Sequence, residues 1–307
     1  MKSRLSLMDE FRQQMERLKP NPDQIYTLHN NIRRLTNQFD APGPEMESVE
    51  DFNVPHEEFP VAVRLYTPKG GESTPGPVIL FLHGGGFVTC SLESHEGIAL
   101  RMAEASKFRV LSVDYRLAPQ FPFPAGPDDC ELVLNWVLSG AAEAYGIDGS
   151  CVAIAGDSAG GNMSAYLAQS YRTDIKAQVL YYPLMQLVEL KPVNPAPQDW
   201  LQLGFMALKF IDEHYAKDAD RHQTRLSPLF ETDLKGLPPA YILTCGLDPL
   251  RHEGREYADK LEVTEIEVKY AHEKAMPHGF LNFSRVFPKG KIIARDAGLF
   301  VRKHILS

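Results

Sequence analysis

The chain has 307 residues, of which 44% are apolar and 23% are charged, and its formal net charge is −8. This composition excludes a wholly disordered or fibrous protein and fits one large α/β domain or two smaller domains. An acidic chain repels phosphate backbones and anionic lipid surfaces, so we expect no nucleic-acid partner.

Helices are predicted for the N-terminal part of the chain, up to residue 45. Apolar residues recur every three or four positions from Met8 to Leu18 and again from Ile25 to Phe39. Asn21-Pro22 between them is a typical helix start, and the Ala41–Pro44 segment ends the second pattern. These helices either pack on the core or form a lid.

The rest of the chain alternates between short apolar strands and helices. The predicted strands are Val49–Val54, Val61–Thr67, Val78–Leu82, Arg109–Tyr115, Val152–Ala155, Gln178–Tyr182, Ala240–Cys245 and Thr264–Tyr270. The predicted helices are His95–Lys107, Asp129–Tyr145, Ala159–Arg172, His252–Leu261 and Ile292–His304. This alternation predicts an α/β fold with a mostly parallel sheet covered on both faces. The proline-rich stretch Glu189–Tyr215 interrupts the rhythm and is interpreted as an insertion.

The Gly156–Gly161 segment, Gly-Asp-Ser-Ala-Gly-Gly, fits the Gly-x-Ser-x-Gly motif. It stands between a predicted strand and a predicted helix, where a sharp turn would lift the Ser158 hydroxyl above the sheet. The same turn places Ser158 at a helix N-terminus, which favours a developing negative charge. We therefore predict that Ser158 is a nucleophile and not part of an ordinary turn.

A second glycine-rich segment, His83-Gly84-Gly85-Gly86, directly follows the predicted strand Val78–Leu82. Such a loop can turn backbone N–H groups toward one point and, with the amide of Ala159, form an oxyanion hole. A phosphate-binding loop is the alternative, but no Gly-Lys-Ser/Thr follows. His83 is expected to brace its own loop.

The base and its orienting acid are sought after the nucleophile, because the chain order in this architecture is nucleophile, acid, histidine. His278 stands in a loop with Gly279 and is the favoured base, with His272 as the fallback. Asp248 follows the predicted strand Ala240–Cys245 and is the favoured acid, whereas Glu253 falls inside a helix. Four histidines precede the nucleophile and are set aside: His29, His56, His83 and His95.

The glycine loop, Ser158, Asp248 and His278 each follow the carboxyl end of a predicted parallel strand. These ends share one edge of an open α/β sheet, where ligands bind. With these residues identified, the sequence resembles the bacterial hormone-sensitive-lipase-like esterases of the α/β-hydrolase fold, of the acetyl-esterase type. The resemblance rests on these segments: His83–Gly86, Asp114–Pro119, Phe123–Ala125, Gly156–Gly161, Asp248–Leu250 and His278–Phe280.

The resemblance implies an eight-stranded α/β-hydrolase fold with a helical cap. Residues 1–45 would form the N-terminal part of the cap, residues 46–307 the catalytic domain, and residues 189–218 a cap insertion. The catalytic residues implied are Ser158, Asp248 and His278. The implied oxyanion-hole residues are Gly84, which shapes the turn, and the amide donors Gly85, Gly86 and Ala159.

The function implied is hydrolysis of a small-molecule carboxylic ester, with a preference for short acyl chains, and no cofactor or metal. An amidase, a formamidase or another hydrolase could use the same triad, and a non-catalytic binding protein on this fold is the remaining alternative. The oligomeric state is open, with a homodimer as one alternative.

Two further features bear on the cellular setting. The four cysteines, Cys90, Cys130, Cys151 and Cys245, are far apart in the chain and form no Cys-x-x-Cys pair, so reduced thiols are expected. Neither a signal peptide nor an apolar stretch of about 18 residues is recognised, so we expect a cytoplasmic protein without a membrane span.

Overall fold

Eight strands form one sheet, as predicted. A computed structural model describes residues 4–15, 25–72, 74–189 and 208–307. Its strands are β1 (Met46–Val54), β2 (Val61–Pro68), β3 (Gly76–Leu82), β4 (Arg109–Asp114), β5 (Ile147–Asp157), β6 (Ile175–Tyr181), β7 (Ala240–Leu247) and β8 (Val268–Pro277). The spatial order is β1-β2-β4-β3-β5-β6-β7-β8.

The sheet is mostly parallel. β2 pairs antiparallel with both β1 and β4, whereas every pair from β4 through β3 to β8 is parallel. The carboxyl ends of β3, β5, β7 and β8 therefore lie on one edge of the sheet. The four segments that the sequence analysis singled out all leave from this edge.

Helices cover both faces of the sheet. Their bounds are α1 (Arg4–Met15), α2 (Ile25–Phe39), α3 (Leu92–Ser106), α4 (Ala125–Leu138), α5 (Ala159–Ser170), α6 (208–214), α7 (Arg251–Val263) and α8 (Lys289–Leu306). Strand β3 is continuously apolar in sequence because both of its faces are buried. Val78, Leu80 and Leu82 face the core shared with α4 and α5, while Ile79 and Phe81 face the core shared with α3 and α8.

Two predicted elements differ most from the structure in their bounds, and both differences have a local cause. The last strand is Val268–Pro277 and not Thr264–Tyr270, because α7 runs to Val263 and Thr264 caps it. β8 is an edge strand with exposed charged residues, so its sequence lacks the apolar run that marks the inner strands. The helix predicted for Asp129–Tyr145 ends at Leu138 and is followed by a separate short turn of 3₁₀-helix.

The N-terminal helices reach the catalytic part of the chain through α2. Leu35 and Phe39 are buried in the core shared with α3 and α8. Directly after α2, the Asp40 carboxylate lies 3.1 Å from the Arg101 guanidinium of α3, whose side chain is buried. A buried pair of this kind fixes the geometry of the helix end, because either charge alone would be costly to bury.

Of the insertion, residue 189 and residues 208–218 are described, and Trp200 and Phe205, which belong to the same segment, lie outside the described residues. Within α6, Leu208 and Ile211 are buried in the same core as Phe87 of the glycine-rich loop. The ring of Tyr215 stacks on Phe87 with the ring centroids 4.0 Å apart. The end of the insertion therefore packs directly on the loop predicted to form the oxyanion hole.

The two ends of the insertion lie side by side. Asn162 of α5 donates its Nδ2 hydrogens to the carbonyl oxygens of Leu184 at 2.7 Å and Leu226 at 2.9 Å. The Leu187 N–H donates to Ser227 Oγ at 3.0 Å. One helix, which begins directly after Ser158, therefore holds both ends.

Two global features complete the description. Within the described ranges, no helix combines the length and apolarity needed to cross a membrane. All four cysteines carry free thiols, and Cys151 is the most exposed of them.

Candidate active site

Ser158 stands at a sharp turn between β5 and α5. Its φ of 53° and ψ of −115° are unusual for a residue with a side chain. A Cβ atom on Gly160 would lie 1.9 Å from the Leu82 carbonyl oxygen, and one on Gly156 would lie 2.3 Å from the Gly160 carbonyl oxygen. Only glycine fits at these two positions, which explains the spacing of the motif.

The structure brings the three predicted catalytic side chains into hydrogen-bond contact. Ser158 Oγ lies 2.8 Å from His278 Nε2, and His278 Nδ1 lies 2.8 Å from Asp248 Oδ2. The Asp248 side chain is fully buried and also accepts the Leu250 N–H at 2.8 Å. The imidazole remains 34% exposed, so a substrate can reach the serine beside it.

The surroundings of His278 determine its protonation. Burial alone would lower the pKa of the imidazole, but the Asp248 carboxylate, through its charge and its hydrogen bond, and the more distant Asp157 charge outweigh this effect. The pKa of His278 is therefore raised above its ordinary value of 6.5.

Activity should consequently fall toward acidic pH. A general base must be neutral to accept a proton, so we expect kcat/KM to show an acid limb with an apparent pKa above 6.5. The measurement is a pH profile of kcat/KM for a soluble p-nitrophenyl ester across the range in which histidine titrates. An acid limb centred below 6.5 would contradict the assigned surroundings of His278.

The remaining histidines do not contact Ser158. His272, the fallback base, does not follow the last strand as expected but lies within β8, where its Nδ1 is 2.9 Å from Thr244 Oγ1. His83 is buried, and burial lowers its pKa to about 3, so its ring is neutral. Its Nδ1–H donates to the Gly84 carbonyl oxygen at 2.7 Å, within its own loop.

Three backbone N–H groups near Ser158 are without a hydrogen-bond acceptor among the described residues: those of Gly85, Gly86 and Ala159. The Ala159 N–H is free because it belongs to the first turn of α5. The Gly84 N–H, in contrast, donates to Asp157 Oδ1 at 2.7 Å, so this member of the predicted set is already engaged. Gly84 contributes to the loop by its shape and not as a donor.

Sequence reasoning missed several groups around this site. His95 was set aside because it precedes Ser158, yet it is buried beneath the glycine loop and its Nε2 lies 3.1 Å from Asp157 Oδ1. Ile211 of α6 approaches Gly86, since a Cβ atom there would lie 2.9 Å from the Ile211 Cδ1 atom. Glu253, the rejected acid, lies in α7 and accepts the Met185 N–H at 2.8 Å. No local sequence signal marks these contacts.

Over the described parts of the chain, no cluster of three or more His, Cys, Asp or Glu side chains is arranged as a metal site.

Comparison with known proteins agrees with this geometry. Residues 79–282 match the model of an alpha/beta hydrolase fold family. The chain is 32% identical to Esterase LipI of Mycobacterium tuberculosis over 93% of this chain and 86% of that protein. It is 33% identical to the ethyl acetate hydrolase of Pseudomonas putida over 73% of this chain and 72% of that protein.

A solved structure is similar over almost the whole chain. It is an ester hydrolase from the metagenome of Lake Arreo in complex with a bipyridine phosphonate derivative, with a TM-score of 0.87 and 32% identity, covering 99% of this chain and 97% of that one. The chain therefore belongs to the α/β-hydrolase fold family, in which it is a hormone-sensitive-lipase-like carboxylic ester hydrolase.

Proposed function

We propose that the chain hydrolyses short-acyl carboxylic esters through a covalent acyl-enzyme on Ser158. The observation that carries this proposal is the continuous pair of 2.8 Å contacts from Ser158 through His278 to Asp248. His278 Nε2 takes the hydroxyl proton as Ser158 Oγ attacks the ester carbonyl. Asp248 holds the proton on Nδ1 and stabilises the imidazolium that forms.

The negative charge that develops on the carbonyl oxygen is stabilised by the free N–H groups of Gly85, Gly86 and Ala159. Each such donor contributes on the order of 10²–10³-fold to kcat in enzymes of this kind. The tetrahedral intermediate collapses when His278 gives its proton to the leaving alcohol. Water then attacks the acyl-enzyme, and His278 acts as base and acid a second time.

The cap is assigned to the N-terminal segment, residues 1–45, and to the insertion, residues 189–218. The support is the packing of α6 on the glycine-rich loop, which puts an apolar side chain, Ile211, next to Gly86. An apolar wall this close to the oxyanion donors limits the space for the acyl group. The ethyl acetate hydrolase among the relatives acts on a short acyl chain, which agrees with this limit.

A chain-length series should reveal the limit. We expect kcat/KM for p-nitrophenyl esters to be highest for the shortest acyl groups and to decline as the chain lengthens, because each added methylene must displace packed apolar atoms. In Ile211→Ala the acyl-chain length that gives the highest kcat/KM should increase. The control is Val263→Ala, at an exposed apolar residue far from the loop, which should leave the dependence on chain length unchanged. A wild-type optimum on long-chain emulsions would contradict the proposal.

Covalent labelling tests the mechanism itself. A p-nitrophenyl phosphonate should inactivate the enzyme, and peptide mapping should place the added mass on Ser158. A parallel panel of anilides with the same acyl groups separates an esterase from an amidase. Active enzyme without label on Ser158 would refute the acyl-enzyme.

A further inference from the structure

The Asp157 carboxylate, next to the nucleophile, is buried without taking part in the proposed reaction. Its side chain is 3% exposed. Oδ1 accepts the Gly84 N–H at 2.7 Å, and the His95 ring nitrogen Nε2 lies 3.1 Å from Oδ1 and 3.2 Å from Oδ2. Burial would raise the pKa of Asp157, but the His95 ring and the Gly84 N–H outweigh it and lower the pKa, so the group is a carboxylate.

The Asp157 carboxylate fixes the orientation of the first of two consecutive peptide units in the glycine loop. In the unit between His83 and Gly84, the carbonyl oxygen accepts the Tyr115 hydroxyl at 2.7 Å and the N–H donates to Asp157. In the next unit, the Gly84 carbonyl oxygen accepts His83 Nδ1–H at 2.7 Å. Because a trans peptide is planar, its N–H points away from its carbonyl, so these contacts aim the Gly85 N–H.

His95 is in turn held in one orientation. It lies near the start of α3, is 3% exposed, and its Nδ1 is 2.9 Å from Ser94 Oγ. The Asn282 amide, in the turn that follows the His278 loop, lies 3.0 Å from His95 Nε2. A carboxylate only accepts hydrogen bonds, so the proton between His95 and Asp157 resides on Nε2, and this nitrogen therefore cannot also accept a hydrogen bond from the Asn282 amide.

We propose that Asp157 is a positioning residue for the oxyanion donors, and that His95, oriented by the Ser94 contact, keeps the Asp157 carboxylate aimed at the Gly84 N–H. This inference rests on the proposed function, because it concerns the aim of the donors in that mechanism. The close packing of the two residues supports this role. A Cβ atom on Gly84 would lie 2.5 Å from Asp157 Oδ2, so the carboxylate packs directly on the backbone of a residue that has no side chain.

The test compares an ester with its thiono analogue, in which sulfur replaces the carbonyl oxygen. Sulfur accepts hydrogen bonds weakly, so the ratio of kcat/KM for the two substrates reports how well the N–H groups are aimed. In Asp157→Leu, which has no acceptor for the Gly84 N–H, we expect kcat for the ester to fall by about 10–100-fold with KM changed by less than about threefold, and the ratio to fall toward one.

If Asp157→Leu does not fold, two changes at His95 still test the proposal. His95→Gln retains an N–H donor near the Nε2 position and should keep most of kcat and of the substrate ratio. His95→Leu removes the donor and should lose both. Equal behaviour of the two variants would overturn the role assigned to His95.

Asp40→Asn is the matched control, because it also changes an acid that is largely shielded from solvent and pairs with α3, through Arg101, away from the glycine loop. It should lower the melting temperature without moving the substrate ratio. Variants at Asp157 and His95 that lose stability while keeping the wild-type ratio would show a merely structural role and overturn the proposal. A wild-type enzyme that is not labelled on Ser158 would instead contradict the proposed function.

Discussion

Replacing Ser158 with alanine is expected to lower kcat for p-nitrophenyl acetate by about 10⁴-fold or more, because no other group can form the acyl-enzyme. The serine hydroxyl is the atom that His278 Nε2 contacts at 2.8 Å. The backbone at the turn stays intact, so the melting temperature should change little. The measurement is steady-state release of p-nitrophenol, together with a thermal melt.

The matched control is Ser164→Ala, on the same helix. The Ser164 side chain is fully buried, and its hydroxyl forms no hydrogen bond with the described residues. Removing it should leave kcat unchanged. If Ser158→Ala kept near-normal turnover, the nucleophile would have to be sought elsewhere in the chain.

The second large effect is expected in Asp248→Asn, with a loss of about 10⁴-fold in kcat. The asparagine amide can donate to His278 Nδ1, which moves the imidazole proton to Nε2. That nitrogen then has no lone pair to accept the Ser158 proton at 2.8 Å. With the carboxylate gone, the acid limb of the pH profile should also move to lower pH, because Asp248 is what raises the His278 pKa.

Glu253→Gln provides the comparison for this variant, because it also amidates a buried acid that follows β7. Burial raises the pKa of Glu253 to about 8, so its carboxyl is largely protonated near neutral pH. Glutamine keeps an acceptor for the Met185 N–H, and kcat should stay close to that of the wild type. A large loss in Glu253→Gln with normal activity in Asp248→Asn would reverse the assignment of the acid.

The inner strands and the reactive residues could be predicted because they leave local traces. An inner parallel strand must be apolar on both faces, and the turn at Ser158 has room only for glycine at two fixed positions. The edge strand β8 has no such constraint: the polar residues Lys269 and His272–Lys274 interrupt its apolar residues, and this mixed sequence concealed its bounds.

The support beneath the site could not be predicted, because it depends on contacts between distant segments. Asp157 and His95 are 62 residues apart, and Asp157 and Gly84 are 73 apart. No local sequence feature distinguishes this histidine and this aspartate from others in the chain, because their contacts form only when the sheet brings β3, β5 and α3 together. The rule that the catalytic histidine follows the nucleophile leads to His278. It cannot identify His95, which precedes the nucleophile and contacts Asp157.

The side-by-side ends of the insertion have a consequence for how such enzymes diversify. Asn162 ties the carbonyl oxygens at both ends to the helix behind the nucleophile, so a change of length or sequence between them need not reach the triad. The insertion can therefore vary without displacing Ser158, provided that Ile211 and Tyr215, which pack on the glycine loop, are kept or replaced by side chains that fill the same space.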